Sequence, residues 1–319
     1  MSDDLYRNSM KKIATGVIGV GYLGTFHAQK YDLIEQSNLI GVYDPDNKRA
    51  DSLASSLGCR NFNNIEELLS QVDAVSIVTP TSTHFEIMKL ALNCGVHVFV
   101  EKPICTSLDE ADEIIYLADK KGLKLQVGHL ERFNPAFMKI RPLIKDPLFI
   151  ESTRIAPYSP RNIDVAVLLD LMIHDIDIIL QINSSPVVSV DALGAVVFSE
   201  SFDISTARLK FKNGCVADLK ASRLSEKVER KLRIFQKNSC LLVDFLNQTT
   251  AIYTSENAQG SESKINKSEE KFEKSDLIKL ELESFLNSIA NNTEPVVSGS
   301  QAREALKVTL MAMNDITNK

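Results

Sequence analysis

The sequence predicts an α/β protein of two domains, the first built on a parallel sheet and the second on a helix followed by a run of strands. Three observations carry that prediction. Strand-like and helix-like segments alternate from residue 13 to residue 127, the pattern of repeated βα units with helices on both faces of a sheet. A G-x-G-x-x-G run, Gly19, Gly21 and Gly24, stands where the first strand meets the first helix. After about residue 125 the rhythm changes to a long apolar helix and then to strands. The 319 residues suffice for two cores, and the division is placed at residues 1–125 and 126–319.

Residues 13 to 20, IATGVIGV, end in small and β-branched apolar residues, as a buried strand does. A helix is expected from Tyr22 to about Gln36, then a strand from Leu39 to Tyr43 that ends at Asp44. Helices near residues 46–57 and 65–70 lead to a strand over 74–78. A helix over 83–94, a strand over 96–100, a helix over 108–121 and a strand over 123–127 complete the alternation. In the second half a buried helix is expected near residues 163–182, followed by strands over 187–197, 204–211, 215–221, 231–235 and 240–245. Asn213-Gly214 lies between two of these and signals a tight hairpin. Residues 254–276 are polar and highly charged and read as a mobile loop or an exposed hairpin tip. Two helices close the chain, the first with Ile278, Leu282, Phe285, Leu286 and Ile289 on one apolar face.

The glycine run has a definite chemistry in this setting. Gly19 allows the tight turn, Gly21 lets backbone approach a pyrophosphate, and the helix that opens at Tyr22, Leu23 and Gly24 offers N–H groups and positive potential to it. Asp44 stands 20 residues beyond Gly24, where it can accept hydrogen bonds from ribose hydroxyls and would repel a 2′-phosphate. Together these make the first domain a Rossmann dinucleotide-binding domain and the cofactor NAD. Thr79 and Pro80 end the next strand, at the carboxyl edge where ligands bind in open α/β sheets. His84, one turn into the following helix, is either a cofactor neighbour or a surface histidine. Glu101-Lys102-Pro103 follows another apolar strand at the same edge, and Pro103 restrains the conformation of Lys102.

The stretch VAVLLDLMIHDIDIIL, residues 165–180, is apolar nearly all round yet carries Asp170, His174, Asp175 and Asp177. At about 100° per residue on an α-helix, Asp170, His174 and Asp177 fall within roughly 60° of one another. Buried charges are costly unless paired or used, so the stripe reads as part of a site or as a buried ion-pair network. Arg132, Asn134, Arg154, Tyr158 and Arg161 are the substrate-pocket candidates, because an arginine fork suits a diphosphate. Two of the three arginines are expected to reach ligand. The prolines between Arg154 and Arg161 favour extended chain, which would set the two guanidiniums roughly 20 Å apart.

In order and spacing these motifs resemble the glucose–fructose oxidoreductase and inositol dehydrogenase (Gfo/Idh/MocA) family: G-x-G-x-x-G, an acidic end to the second strand, Glu-Lys-Pro, and Asp-x-x-x-His on a later helix. The resemblance implies that Lys102, Asp170 and His174 carry the catalytic roles and that Glu101 lies near the nicotinamide ribose. It also implies an open, mostly antiparallel sheet in the second domain that often serves as a subunit interface, hence a homodimer or homotetramer. VGHLERFNPAF, RIAPYSPR and LLDLMIHDID are similar to the branch that oxidises the 3-hydroxyl of UDP-N-acetylglucosamine for amino-sugar lipid A synthesis, with an aminotransferase as pathway partner. Many family members read Asp-x-Gly-x-His; Met172 occupies the glycine position here and is expected to narrow the room beside the catalytic face.

The expected chemistry is oxidation of a secondary hydroxyl of a sugar or nucleotide sugar. His174 is the best-matched base, its reference pKa of about 6.5 lying near working pH. Asp170 would orient it or contact a neighbouring hydroxyl, Lys102 would stabilise alkoxide character, and which of Lys102 and His174 takes the proton first stays open. Asp177 is a supporting or structural residue. The alternatives are a free-polyol or monosaccharide dehydrogenase, a reductase of another substrate class, and a non-catalytic NAD-binding regulator, which would need none of the three residues. A net charge of −6 argues against a nucleic-acid partner. Cys59, Cys94, Cys105, Cys215 and Cys240 form no CxxC pair, so no metal site is expected and free thiols in a reducing compartment are. The absence of a long apolar run and of a signal-like start leads to the expectation of a cytoplasmic protein with no membrane contact.

Overall fold

A computed structural model describes residues 12–159, 165–255 and 265–319. The chain forms two compact units, one running to Gly128 and taking in Ile278–Ser300, the other comprising His129–Leu277 and Gln301–Lys319. The first boundary thus falls at 128/129 where 125/126 was expected, and a late segment returns to the first unit. Its helix turns Leu282, Phe285 and Leu286 into the same core as Val17, Val42 and Phe99, so the apolar face read from the sequence is satisfied there.

In the first unit β1 (Ile13–Ile18), α1 (Tyr22–Leu33), β2 (Ser37–Tyr43), α2 (Asn47–Leu57), β3 (Arg60–Asn61), α3 (Ile65–Leu69) and β4 (Ala74–Ile77) come first. They are followed by α4 (His84–Asn93), β5 (His97–Glu101), α5 (Leu108–Lys121) and β6 (Leu125–Gly128). All strand pairs are parallel, in the order β3-β2-β1-β4-β5-β6. The order reverses between β1 and β4, and the crevice at such a switch point is where ligands bind. Local chemistry fixes the ends: Asp46 caps α2, Asn64 caps α3, and Ser107 with Glu110 forms a reciprocal capping box on α5.

The second unit contains α6 (Pro135–Ile140), β7 (Phe149–Ile155), a π-helical stretch Leu168–Met172 and α7 (Ile173–Ile182). The strands β8 (Val187–Ala195), β9 (Ile204–Phe211), β10 (Val216–Ser222), β11 (Glu229–Gln236), β12 (Ser239–Asp244), β13 (Thr249–Ser255) and β14 (Ile265–Lys271) follow. α8 (Leu277–Ala290) is the helix that returns to the first unit, and α9 (Gly299–Thr317) ends the chain. The eight-stranded sheet runs β14-β13-β12-β11-β7-β10-β9-β8, with β7 and β10 parallel and every other pair antiparallel. One face buries Leu209, Leu219, Ile234 and Val243 with α7 and α9 residues. The other is laced by ion pairs such as Arg208–Asp218 and Glu151–Arg233. β13 pairs antiparallel with β14 on either side of residues 256–264, the part of the charged segment that lies outside the described residues. β7 was not expected as a strand, because FIESTRI places charged residues on its outer face and in its interior. Among the described residues no helix is long and apolar enough to cross a membrane.

Candidate active site

At the end of β1, Gly19 adopts φ +85°, and a Cβ there would meet the Val78 carbonyl at 2.6 Å. A Cβ on Gly24 would fall on the Gly19 carbonyl oxygen, so the turn closes only with glycine at both positions. At Gly21 the nearest atom is Arg49 Nη1 at 3.9 Å, which leaves room for a ligand beside bare backbone. α1 begins with no side-chain cap and no acidic residue in its first turn, the condition for receiving an anion. Tyr22 is exposed and set edge-on to Phe26, and Leu23 is half-buried. Asp44 is held by two backbone amides: Val20 donates to Oδ2 at 2.8 Å and Asp46 to Oδ1 at 2.8 Å. Each carboxylate oxygen has a further lone pair for ribose hydroxyls. Arg49 approaches the same carboxylate, Nη1 to Oδ2 3.5 Å. The cradle therefore fits NAD.

The neighbouring strand ends complete this half. Thr79 receives a hydrogen bond from Thr83 at 2.8 Å and Pro80 is exposed. His84 is no surface residue. Its ring is 1% exposed, with Nδ1 2.9 Å from the Pro103 carbonyl and Nε2 2.9 Å from that of Thr79, so it braces the end of β4 against the Lys102-Pro103 loop. Burial pushes its pKa down, outweighing those carbonyls. Glu101 is buried, its Oε1 3.2 Å from His27 Nε2, while the Lys102 amide donates to Oε2 at 3.2 Å. Its carboxylate is thus committed within the unit, to His27 and the Lys102 amide. His27, then the nearby Lys102 charge, holds its pKa below the ordinary carboxylate value against strong desolvation. Lys102 itself is half-buried at the tip of β5.

The second unit brings His174, 9% exposed, and half-buried Asp170 onto one helical segment. The segment is not uniformly α: Asp170 lies in the π-helical stretch, so the uniform angular step assumed for the stripe does not hold through it. Met172, expected to narrow the room beside the catalytic face, is fully buried in the core. His129 packs edge-on to His174, ring centroids 6.0 Å apart.

The arginine expectations require correction. Arg132 makes a two-pronged bond to Asp177, Nε–Oδ2 2.7 Å and Nη2–Oδ1 2.5 Å, and donates from Nη1 to Gln301 at 2.7 Å. Arg154 donates to Asp175 from Nε at 3.1 Å and from Nη2 at 2.9 Å, and to Glu131 from Nη1 at 2.9 Å. Both are at most 5% exposed. Burial alone would lower the Arg154 pKa; the charges of Asp175 and Glu131 overcome it and raise it. These guanidiniums are spent on buried carboxylates that anchor α7, not offered to a diphosphate. Asn134 is likewise internal, capping α6 through Oδ1 and donating to the Phe245 carbonyl at 3.0 Å. Arg161 lies outside the described residues. Tyr158 is exposed and meets Phe198 edge-on at 5.8 Å.

Sequence reasoning overlooked His27, His129, Glu131, Arg230 and Glu281. Glu131 and His129 sit beside Arg132 in a short turn, and strand alternation alone could have drawn attention to Arg230, which lies opposite Arg154 in the β11–β7 register.

Comparison with known proteins agrees with this fold. Residues 13–129 match "Oxidoreductase family, NAD-binding Rossmann fold" and residues 155–239 match "GFO/IDH/MocA C-terminal domain". The chain is 41% identical over 305 residues to a UDP-N-acetylglucosamine 3-dehydrogenase of Acidithiobacillus ferrooxidans, covering 94% of this chain and 96% of that protein. A crystal form of the A. ferrooxidans enzyme superposes with TM-score 0.90 at 40% identity, over 96% of this chain and 98% of that one. The myo-inositol 2-dehydrogenase of Thermotoga maritima is 27% identical over 95% of this chain and 96% of its own length. Fold alone is shared with scyllo-inositol dehydrogenase of Lactobacillus casei bound to NAD(H) and scyllo-inositol, 22% identical with TM-score 0.81 over 97% and 98%. The chain belongs to the Gfo/Idh/MocA family of NAD-binding oxidoreductases.

Proposed function

We propose that this chain oxidises the C3 hydroxyl of UDP-N-acetylglucosamine with NAD, giving a 3-keto sugar for an aminotransferase in amino-sugar lipid A synthesis. The observation that carries the substrate is the 41% identity, over 94% of this chain, to a UDP-N-acetylglucosamine 3-dehydrogenase. NAD, when bound, accepts the hydride. The chain must orient the sugar and move the hydroxyl proton. His174 takes it as general base, Lys102 donates a hydrogen bond to the reacting oxygen, and Asp170 orients the ring or an adjacent hydroxyl.

With Arg132 and Arg154 engaged, the diphosphate needs another cation, and Arg230 meets the requirement. Its side chain is 42% exposed, 3.6 Å from Glu131. Burial and then the nearby Arg154 charge push its pKa down; a cation so crowded gains from an anionic ligand. Tyr158, with Phe198, offers an exposed aromatic surface to uracil. Arg230→Met is expected to raise the KM for the nucleotide sugar about tenfold with the KM for NAD within about twofold. Steady-state kinetics with each substrate varied reads this; an unchanged sugar KM removes Arg230 from the pocket.

A further inference from the structure

Beneath the Glu-Lys-Pro turn lies a cluster that neither the glycine cradle nor the α7 network uses. His27 of α1, Glu101 of β5 and Glu281 of α8 are all buried, two of them at 0% exposure, and one side-chain polar atom of each lies within 4.8 Å of the other two. Two carboxylates this close, out of water, cannot both carry charge without large cost. The groups facing the cluster are Lys102 and His84 beside Glu101, and Tyr31 beside Glu281, its hydroxyl 2.8 Å from Ser76.

The geometry divides the roles. Glu101 receives the Lys102 amide and faces His27 Nε2 at 3.2 Å; an ionised carboxylate only accepts, so Nε2 must be the donor. Nδ1 finds no hydrogen-bond partner among the described residues, and the ring is wedged edge-on to Phe99, which in turn packs on Phe285 of α8. Glu281 enters from that helix, its backbone carbonyl fixed by Gln126 Nε2 at 2.8 Å. A Cβ on Gly128 would meet Glu101 Oε1 at 2.8 Å, so β6 also walls in the Glu101 carboxylate.

We infer that His27, Glu101 and Glu281 form a buried positioning triad with one net negative charge, in which Glu281 is held as the neutral acid and His27 fixes ionised Glu101 behind Lys102. The triad touches neither substrate nor cofactor; it acts by holding the Glu101 carboxylate that accepts from the Lys102 amide. The late helix α8 thereby becomes part of the machinery that sets the catalytic lysine.

Infrared difference spectra of the full-length protein at pH 8, wild type minus Glu281→Gln, test the proton directly and independently of activity. The inference expects the C=O stretch of a protonated carboxylic acid in the wild type that the variant lacks. Kinetics test the positioning, and this part rests on the dehydrogenase reading: His27→Leu should lower kcat about tenfold or more with the KM for NAD within about twofold, and His27→Gln, which restores a donor, should recover part of the loss. No acid band, a band unaffected by Glu281→Gln, or a stoichiometric metal ion bound by the wild type would overturn the triad. Equal losses in both His27 variants, or none, would overturn the positioning role. If His27→Leu does not fold, the infrared comparison and His27→Gln decide. A wild type that turns over no sugar while showing the band would remove the substrate reading and leave the triad standing.

Discussion

Lys102→Ala and His174→Ala are each expected to lower turnover by on the order of 10²-fold or more while NAD affinity changes no more than a few-fold. The expectation follows from where the residues lie. Lys102 leaves the tip of β5 from a loop fixed on one side by His84 and on the other by the Glu101 carboxylate, so its ammonium is aimed by backbone that is itself braced. His174 projects from a segment anchored through Asp175 and Asp177 to two buried arginines. The glycine cradle and Asp44, whose geometry fits NAD, use neither side chain. Single-turnover kinetics with calorimetric NAD binding separate the two effects. If both variants stay within a few-fold of the wild type, the chemistry has been assigned to the wrong groups.

Arg154→Met should cost about 3–5 kcal/mol of stability, because it strands two buried carboxylates, Asp175 and Glu131, without their cation. Denaturant unfolding of the variant reads the loss as a lower midpoint. The outcome also discriminates between two roles for this residue. An arginine kept for a diphosphate would, when truncated, raise the nucleotide-sugar KM in a protein of near-normal stability. One kept for α7 destabilises the fold first. Adding Asp175→Asn in the same chain should recover part of the loss, since the two changes share one interaction.

What the sequence disclosed was what is local. The glycine run, Asp44 and Glu-Lys-Pro each lie within a few residues of a strand end, and the βα alternation places those ends at one edge of the sheet. The apolar alternation of residues 204–211 likewise gave β9 to the residue. Long-range partnership was not legible. Arg132 meets Asp177 across 45 positions and Arg154 meets Asp175 across 21, and a guanidinium bound to an internal carboxylate reads in sequence like one waiting for a phosphate. The same holds for Glu281, which looks like a solvated helix residue until α8 is seen to pack in the first unit. The π-helical stretch has no signature in LLDLM, so the stripe of Asp170, His174 and Asp177 was drawn with an α-helical step. Met172, expected to narrow the catalytic face because many family members carry glycine there, is buried in the core.

The measurement closest to the central claim is NADH formation by the purified protein with UDP-N-acetylglucosamine, with hydroxylamine present to trap the keto product, set beside free N-acetylglucosamine, free hexoses and inositols. The proposed function predicts sustained NADH formation with the nucleotide sugar and little with the free sugars and polyols. Turnover of a free polyol with no response to the nucleotide sugar under the same conditions would contradict it.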